Sequence, residues 1–314
     1  MLATALSLIR NPCSPRLQPQ LATHIKKATM ASFILPGTQT RVNSIPDLTQ
    51  DDLLSFPAFK SWTTTLQNSL AQQERETHEF HHDPYHLRSI DIQSIDRFGG
   101  GRLGFVKLKA DVSNSQGEKL PGIVFLRGGS VGILLVLQPD DIPASEENGK
   151  KAILTIQPRV PAGSLAMAEI PAGMLDDSGT FAGAAAKEIE EETGLLVKQD
   201  ELIDLTALAL ESASDPHEAL KAREEPHSGE ILQKAVYSSA GGSDEFIALL
   251  LWQKRLPRKE IEELQGKLTG LRDHGEKITL KVIPLENLWR EGARDSKALA
   301  AWALYQGLRQ EGKL

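Results

Sequence analysis

The chain has one cysteine, Cys13, so no intrachain disulfide can form and the body of the protein has no cysteine chemistry. No apolar run approaches the ~20 residues a helix needs to cross a bilayer, which argues against a membrane protein. Acidic residues are missing from the first 46 positions, which carry five basic ones: Arg10, Arg16, Lys26, Lys27 and Arg41. Removing those five from the formal charge of −7 leaves −12 for the remainder. So acidic a body lacks the basic face that a nucleic-acid backbone demands, so nucleic acid is excluded as the main partner. A nucleotide accompanied by a metal ion remains compatible. Internal repeats are also absent. The glycines of FGGGR (98–102) are followed by another strand pattern rather than a helix, so they do not form a dinucleotide fingerprint.

The opening stretch MLATALSLIRNPCSPRLQPQLATHIKKATM is Arg-bearing, acid-free and partly apolar, the makeup of an organelle transit peptide. We read residues 1–46 as a leader, with the mitochondrion ahead of the plastid as its destination. A plain disordered tail is the alternative, and a start at Met30 would leave the product in the cytoplasm. The rest, in a chain 40% hydrophobic and 25% charged, suffices for one large core or one core with a smaller companion.

Residues 47–120 read as a helical and β-rich N-terminal subdomain. One or two helices place Trp62 and Leu66 on an apolar face, and a His-bearing loop (His78, His81, His82, His86) follows. Strand patterns LRSIDIQSID and GRLGFVKLKADV then join through the FGGGR turn. Residues 121–314 form the second unit. GIVFLRG, VGILLVL and KKAILTIQPRV are strands, ELIDLTALAL is a further strand candidate, and SASDPHEALKAREEPHSGE is an inserted surface loop. AVYSSAGGSDEFIALLLWQK is strand, glycine turn, strand, and EKITLKVIP is strand-like. LENLWREGARDSKALAAWALYQGLRQ closes the chain as one amphipathic helix with Leu288, Trp289, Leu299 and Trp302 on its buried face and Leu304 outside that stripe. Many strands around few helices predict an α/β (α+β) arrangement, a mixed sheet sandwiched between helices.

The densest chemistry lies in GMLDDSGTFAGAAAKEIEEETGLL (173–196), where Glu188, Glu190, Glu191 and Glu192 fall within five positions and Gly194 follows as a helix stop. Like charges three or four residues apart repel, and carboxylates at a helix C-terminus oppose its dipole, so local stability does not explain the cluster. Glu188, Glu191 and Glu192 stand at i, i+3 and i+4, one helix face, where hard oxygen ligands suit Mg²⁺ or Mn²⁺ with water and phosphate completing the shell. The competing reading is a solvated acidic face.

Gly173, followed fourteen positions later by Lys187-Glu188-Ile189-Glu190-Glu191-Glu192-Thr193-Gly194-Leu195, resembles the Nudix box. That pattern is G, five residues, E, seven residues, then R-E-U-x-E-E-x-G-U with U a bulky aliphatic. Gly179, with Asp176 and Asp177 nearby, stands where the pattern has its first glutamate, and Lys187 where it has arginine. Lysine keeps the charge but loses the planar fork that pairs with carboxylates.

The resemblance widens to the ADP-sugar diphosphatases, the plant plastid type above all. It runs through PGIVFLRGGSVGILLVL, QPRVPAGSLAMAEIPAGMLDD, SSAGGSDE and TGLRDHGEKITLKVIPLENLWR, across about residues 88–311 except the loop near 211–232. It implies a Nudix fold, a homodimer formed through the N-terminal β-rich part, and metal-dependent hydrolysis of ADP-glucose or ADP-ribose to AMP and a sugar phosphate. Carried onto this chain, it implies Glu188 and Glu192 as ligands of Mg²⁺ or Mn²⁺, with Glu191 assisting in catalysis or binding a further ion and the Ala172 carbonyl contributing. Glu245 is the first candidate base and Asp244 the second, while a turn carboxylate facing water is the plain alternative for Glu245. Arg159 is a substrate contact, or else an ion-pair partner of Glu169; Arg127 and Glu169 are weaker substrate candidates. His274 and Glu276 receive no role. NADH, dinucleoside polyphosphates or capped RNA as substrates, isomerase chemistry, and a catalytically idle ligand-binding module remain as rivals.

Overall fold

The computed structural model describes residues 32–175, 180–211, 232–271 and 277–314. Two sheets organise them. The N-terminal sheet contains β1 (Ser32–Ile34), β2 (Arg41–Asn43), β3 (His86–Arg97), β4 (Leu103–Ser113) and β5 (Lys119–Leu120) in that order, and β6 (Ile123–Leu126) also pairs with β4. Two helices, α1 (Gln50–Ser55) and α2 (Pro57–Ala71), connect β2 to β3. Residues 32–46 were expected in the leader, yet Val42 is fully buried and β2 pairs in parallel with β3, so the folded body starts by Ser32. The three-residue strands SFI and RVN carry too few apolar residues to declare themselves by alternation. The remaining leader, including Met30, lies outside the described residues.

The β3–β4 hairpin turns where the three glycines predict it. Gly100 and Gly101 have φ of 74° and 80°, a left-handed conformation glycine adopts without strain, and Phe98 N–H donates to Arg102 O at 2.8 Å. In the His-bearing turn, the His81 ring contacts Gln73 O at 3.0 Å and His78 Nδ1 accepts the Phe80 N–H at 3.1 Å.

The second sheet runs β11 (Ile203–Asp204), β13 (Phe246–Leu256), β7 (Ser130–Pro139), β8 (Lys151–Arg159), β15 (Ile278–Pro284), β14 (Leu268–Thr269), with β9 (Ser164–Glu169) on β8, β10 (Ala172–Met174) on β7 and β12 (Val236–Tyr237) on β13. The central pair β7 and β13 is parallel. Every residue of β7 is buried, as expected of a strand covered on both faces. Its alternate residues divide the core. Val131, Ile133, Leu135 and Leu137 meet α3 (Phe181–Thr193) through Ala184, Ala185 and Ile189, whereas Leu134 and Val136 meet α7 (Ser296–Gln310) through Ala298, Ala301, Tyr305 and Leu308. This is the expected mixed sheet between helices, beside an N-terminal β-rich layer with its own core of Val42, Leu53, Phe59, Ile90, Val106 and Leu108.

Two elements depart from the sequence reading. ELIDLTALAL forms only the short β11 before turning into α4 (Leu205–Ala209), because the Asp204 carboxylate accepts the Ala207 N–H at 2.9 Å and caps a helix. The closing segment is not one helix. A short helix α6 (Leu288–Glu291) ends at Gly292, and α7 restarts behind the cap Asp295; α5 (Arg258–Glu263) precedes both. The break resets the helical phase. Leu288 is buried as expected, but Trp289 is 48% exposed and Leu299 is exposed, while Ala298, Ala301, Tyr305 and Leu308 face the sheet and Leu304 packs at the margin of that core.

β7 and β8 pair only at Val136–Ala152 and Leu137–Lys151. Beyond that point β7 pairs with β10 and β8 with β9, so the sheet forks. The chain crosses the fork at Ile170-Pro171, where Ile133 N–H donates to Pro171 O at 2.8 Å. The site lies at this opening.

Candidate active site

α3 is defined at both ends by its own sequence. The Thr180 hydroxyl accepts the Gly183 N–H at 3.1 Å, and Gly194, with φ of 75°, returns its N–H to Glu190 O at 2.9 Å. Its last two turns send Glu188 and Glu192 into a cavity of about 1800 Å³ at the fork. Gly173 of β10 makes this approach feasible: a Cβ there would sit 1.9 Å from the Glu188 carboxyl carbon, so any other residue would displace that side chain.

Glu192 is buried. Its carboxylate accepts the Ala172 N–H at 3.3 Å and the Gln157 side-chain amide at 3.4 Å. Burial, then the charge of Glu188, push its carboxyl up to about 8, against the pull of Ala172 N–H, Arg159 and Gln157. Glu191 is half-buried and does not line the cavity. At about 100° per residue Glu191 and Glu192 flank Glu188 on opposite sides, so the expected convergence of three carboxylates becomes a pair. Accordingly, among the described residues no group of three or more His, Cys, Asp or Glu side chains is placed to hold an ion. Two carboxylates, one of them desolvated and under-compensated, fit a small hard cation whose other ligands are water and phosphate. Ala172 also lines the cavity.

Glu245 stands immediately before β13, and because β13 runs parallel to β7 it lies next to Ser130 at the start of that strand. It accepts hydroxyl bonds from Ser130 at 3.3 Å and Ser238 at 2.9 Å and pairs with the Arg127 guanidinium at 3.3 Å. It lines the cavity rather than merely capping a turn. Asp244, the second candidate base, does not. It accepts the Arg127 and Gly128 backbone N–H groups at 2.8 and 3.2 Å and so fastens the β6–β7 connection; burial raises its carboxyl pKa.

Arg127, Arg159 and Lys187 line the same cavity as Glu188, Glu192 and Glu245. Among the described residues, Arg127 Nε is buried with no hydrogen-bond partner. Arg159 Nε donates to Glu169 at 2.6 Å, so the ion pair weighed in the sequence exists, and both residues still line the cavity. Burial raises the Glu169 carboxyl pKa, but Lys297 and Arg159 outweigh that and hold it below the ordinary carboxylate range.

Residues 140–301 match the sequence model of the NUDIX domain. The chain is 36% identical over 263 residues to the chloroplastic Nudix hydrolase 14 of Arabidopsis thaliana, spanning 83% of this chain and 74% of that protein. The chain belongs to the Nudix hydrolase family. A crystal structure of an ADP compounds hydrolase aligns with a TM-score of 0.41 and 16% identity, over 73% of this chain and 99% of that one.

Within this Nudix hydrolase, the box runs from β10 through α3, with Lys187 on the cavity wall. Asp176, Asp177 and Gly179, and likewise His274, Glu276 and residues 212–231 of the inserted loop, lie outside the described residues. The cavity also includes groups that motif reading missed: Gln157, Ser130, Ser238 and Lys297, and from the N-terminal layer Asp52, Ser55, Arg97, Phe98, Arg102 and Phe105. Ser238 carried a local signal, since it is the first residue of the SSAGGSDE motif. Lys297 and the N-terminal residues carried none, because only tertiary packing brings them to the fork.

Proposed function

We propose that this Nudix hydrolase cleaves the diphosphate linkage of ADP-sugars, ADP-glucose or ADP-ribose, with Mg²⁺ or Mn²⁺, giving AMP and a sugar phosphate. One observation carries the reading. A single cavity holds two adjacent carboxylates on α3, a third carboxylate at Glu245 across the opening, and the cations Arg127, Arg159 and Lys187. Glu188 and Glu192, with the Ala172 carbonyl, would hold the ion. When bound, it supplies positive charge that offsets charge developing on the phosphate oxygens. Arg159 and Arg127 bind the diphosphate through charge-assisted hydrogen bonds. Glu245, oriented by Ser130 and Ser238, accepts a proton from the attacking water as the new P–O bond forms and the bridging P–O bond breaks. Glu191, away from the cavity, acts only at second hand. Sequence resemblance supports the ADP moiety, and the cavity volume is ample for a nucleotide sugar.

The same reading includes a homodimer and an organelle address in the leader. The Arabidopsis relative is chloroplastic, which favours the plastid over the mitochondrion. The test is a panel of nucleotide sugars, NADH and dinucleoside polyphosphates with Mg²⁺ and Mn²⁺ in ¹⁸O-labelled water, read by product identity. AMP and sugar phosphate, with label on one phosphate and none on the sugar carbon, are expected. ADP as the nucleotide product from ADP-glucose would sink the proposal, since cleavage at the sugar carbon needs carboxylates flanking it.

A further inference from the structure

Four charged side chains alternate in sign between the start of α7 and the cavity. Lys297 Nζ donates to Asp295 at 2.8 Å and to Glu169 Oε1 at 3.0 Å, and Glu169 Oε2 accepts Arg159 Nε at 2.6 Å. The inner end of this row is anchored. The second Asp295 oxygen accepts the Ile170 N–H at 3.0 Å, and the Lys297 stem passes over Gly132 of β7, where a Cβ would lie 3.5 Å from Lys297 Cδ. The Lys297 side chain is 13% exposed, whereas that of Arg159, at the outer end, is 39% exposed.

We propose that Lys297 is a positioning residue for the diphosphate site: by occupying one oxygen of Glu169 it restricts Arg159 to the other, which leaves the rest of the guanidinium fork to phosphate. The argument rests on Arg159 as a diphosphate contact. A buried carboxylate with both oxygens open engages arginine in two parallel bonds, turning the fork inward and using up its donors. Lys297 blocks that geometry. This effect acts on substrate binding, so the consequence belongs in KM rather than kcat.

The experiment uses the full chain at saturating Mg²⁺ with ADP-glucose and ADP-ribose, comparing the parent with K297M, K297R, R159A and K297M/R159A. K297M is expected to raise KM ~10-fold with kcat within ~3-fold of the parent, and K297R, which keeps the charge, to restore most of the KM. The double variant should have a KM no higher than that of R159A alone, because the lysine acts through the arginine. A silent K297M, or multiplicative effects in the double variant, would overturn the positioning role while leaving Arg159 as a substrate contact. An unchanged KM in R159A would instead remove Arg159 from the diphosphate site, and this proposal with it. If K297M does not fold, K297Q, which removes the same charge and is too short to hold Glu169, takes its place in the same cycle, with the same rise in KM and the same non-additivity expected.

Discussion

A carboxylate that is 5% exposed and beside another carboxylate can lower its energy by taking a proton or by taking a cation. For Glu192 the two routes predict opposite behaviour in one variant. Its folded-state pKa of about 8 lies above the ordinary value of 4.5, so in the metal-free protein its stabilising contribution is complete below pH 4.5 and is lost as pH rises through 8. E192Q removes that loss. With chelator present at pH 9, the variant should unfold at a higher temperature than the parent. With Mg²⁺ present it should turn over at least ~10²-fold more slowly, having lost a charged ligand. Thermal scans and kcat measurements check both halves, and equal turnover of variant and parent would remove Glu192 from the metal site. At this scale the sequence was informative where chemistry and local spacing coincide. Glu188 and Glu192, one helical turn apart, share the cavity, while Glu191 shows that three residues counted onto one face still fan across about 100°.

Elements were legible where one pattern dominated. The apolar run of β7, the glycine turn after β3 and the capped α3 each have a local cause that survives in the fold. ELIDLTALAL was misread because its apolar residues fit a strand as well as a short helix, and the decision rests with one carboxylate. Asp204 accepts the Ala207 N–H and the Thr206 hydroxyl, and the Thr206 oxygen in turn accepts the Leu249 N–H at 3.3 Å, tying α4 to β13. D204A should therefore cost ~1–2 kcal/mol in denaturant unfolding, the range for a lost helix cap. KM should be unchanged, because Asp204 does not line the cavity. A cost below ~0.5 kcal/mol would show that tertiary packing alone holds the helix. The break between α6 and α7 was illegible for a related reason: Gly292 and Asp295 act as stop and cap, but the apolar residues on either side continue a helical period across them.

For the molecule as a whole, the question is where the cooperative unit begins. Composition placed the boundary at residue 46, because the acid-free stretch runs that far; packing places it earlier, because β1 and β2 complete the N-terminal sheet. Leu35 and Val42 enter the same core as Ile90 and Val106, and Thr40 donates its hydroxyl to Leu87 O at 2.9 Å. That layer contributes Arg97, Phe98, Arg102 and Phe105 to the cavity, so its integrity bears on the site and not only on stability. Two truncations separate the boundaries. Removal of residues 1–31 should leave Tm and kcat/KM within error of the parent, because every core residue named above is retained. Removal of residues 1–46 should cost on the order of 3–6 kcal/mol, from the lost burial of Leu35 and Val42 at ~1.5–3 kcal/mol each. It should also weaken substrate binding, since β3 loses its parallel neighbour along Ser89–Asp91, on the strand that ends at Arg97. Equal stability of the two truncated proteins in urea unfolding would mean that β1 and β2 contribute nothing to the fold, and the boundary read from composition would stand.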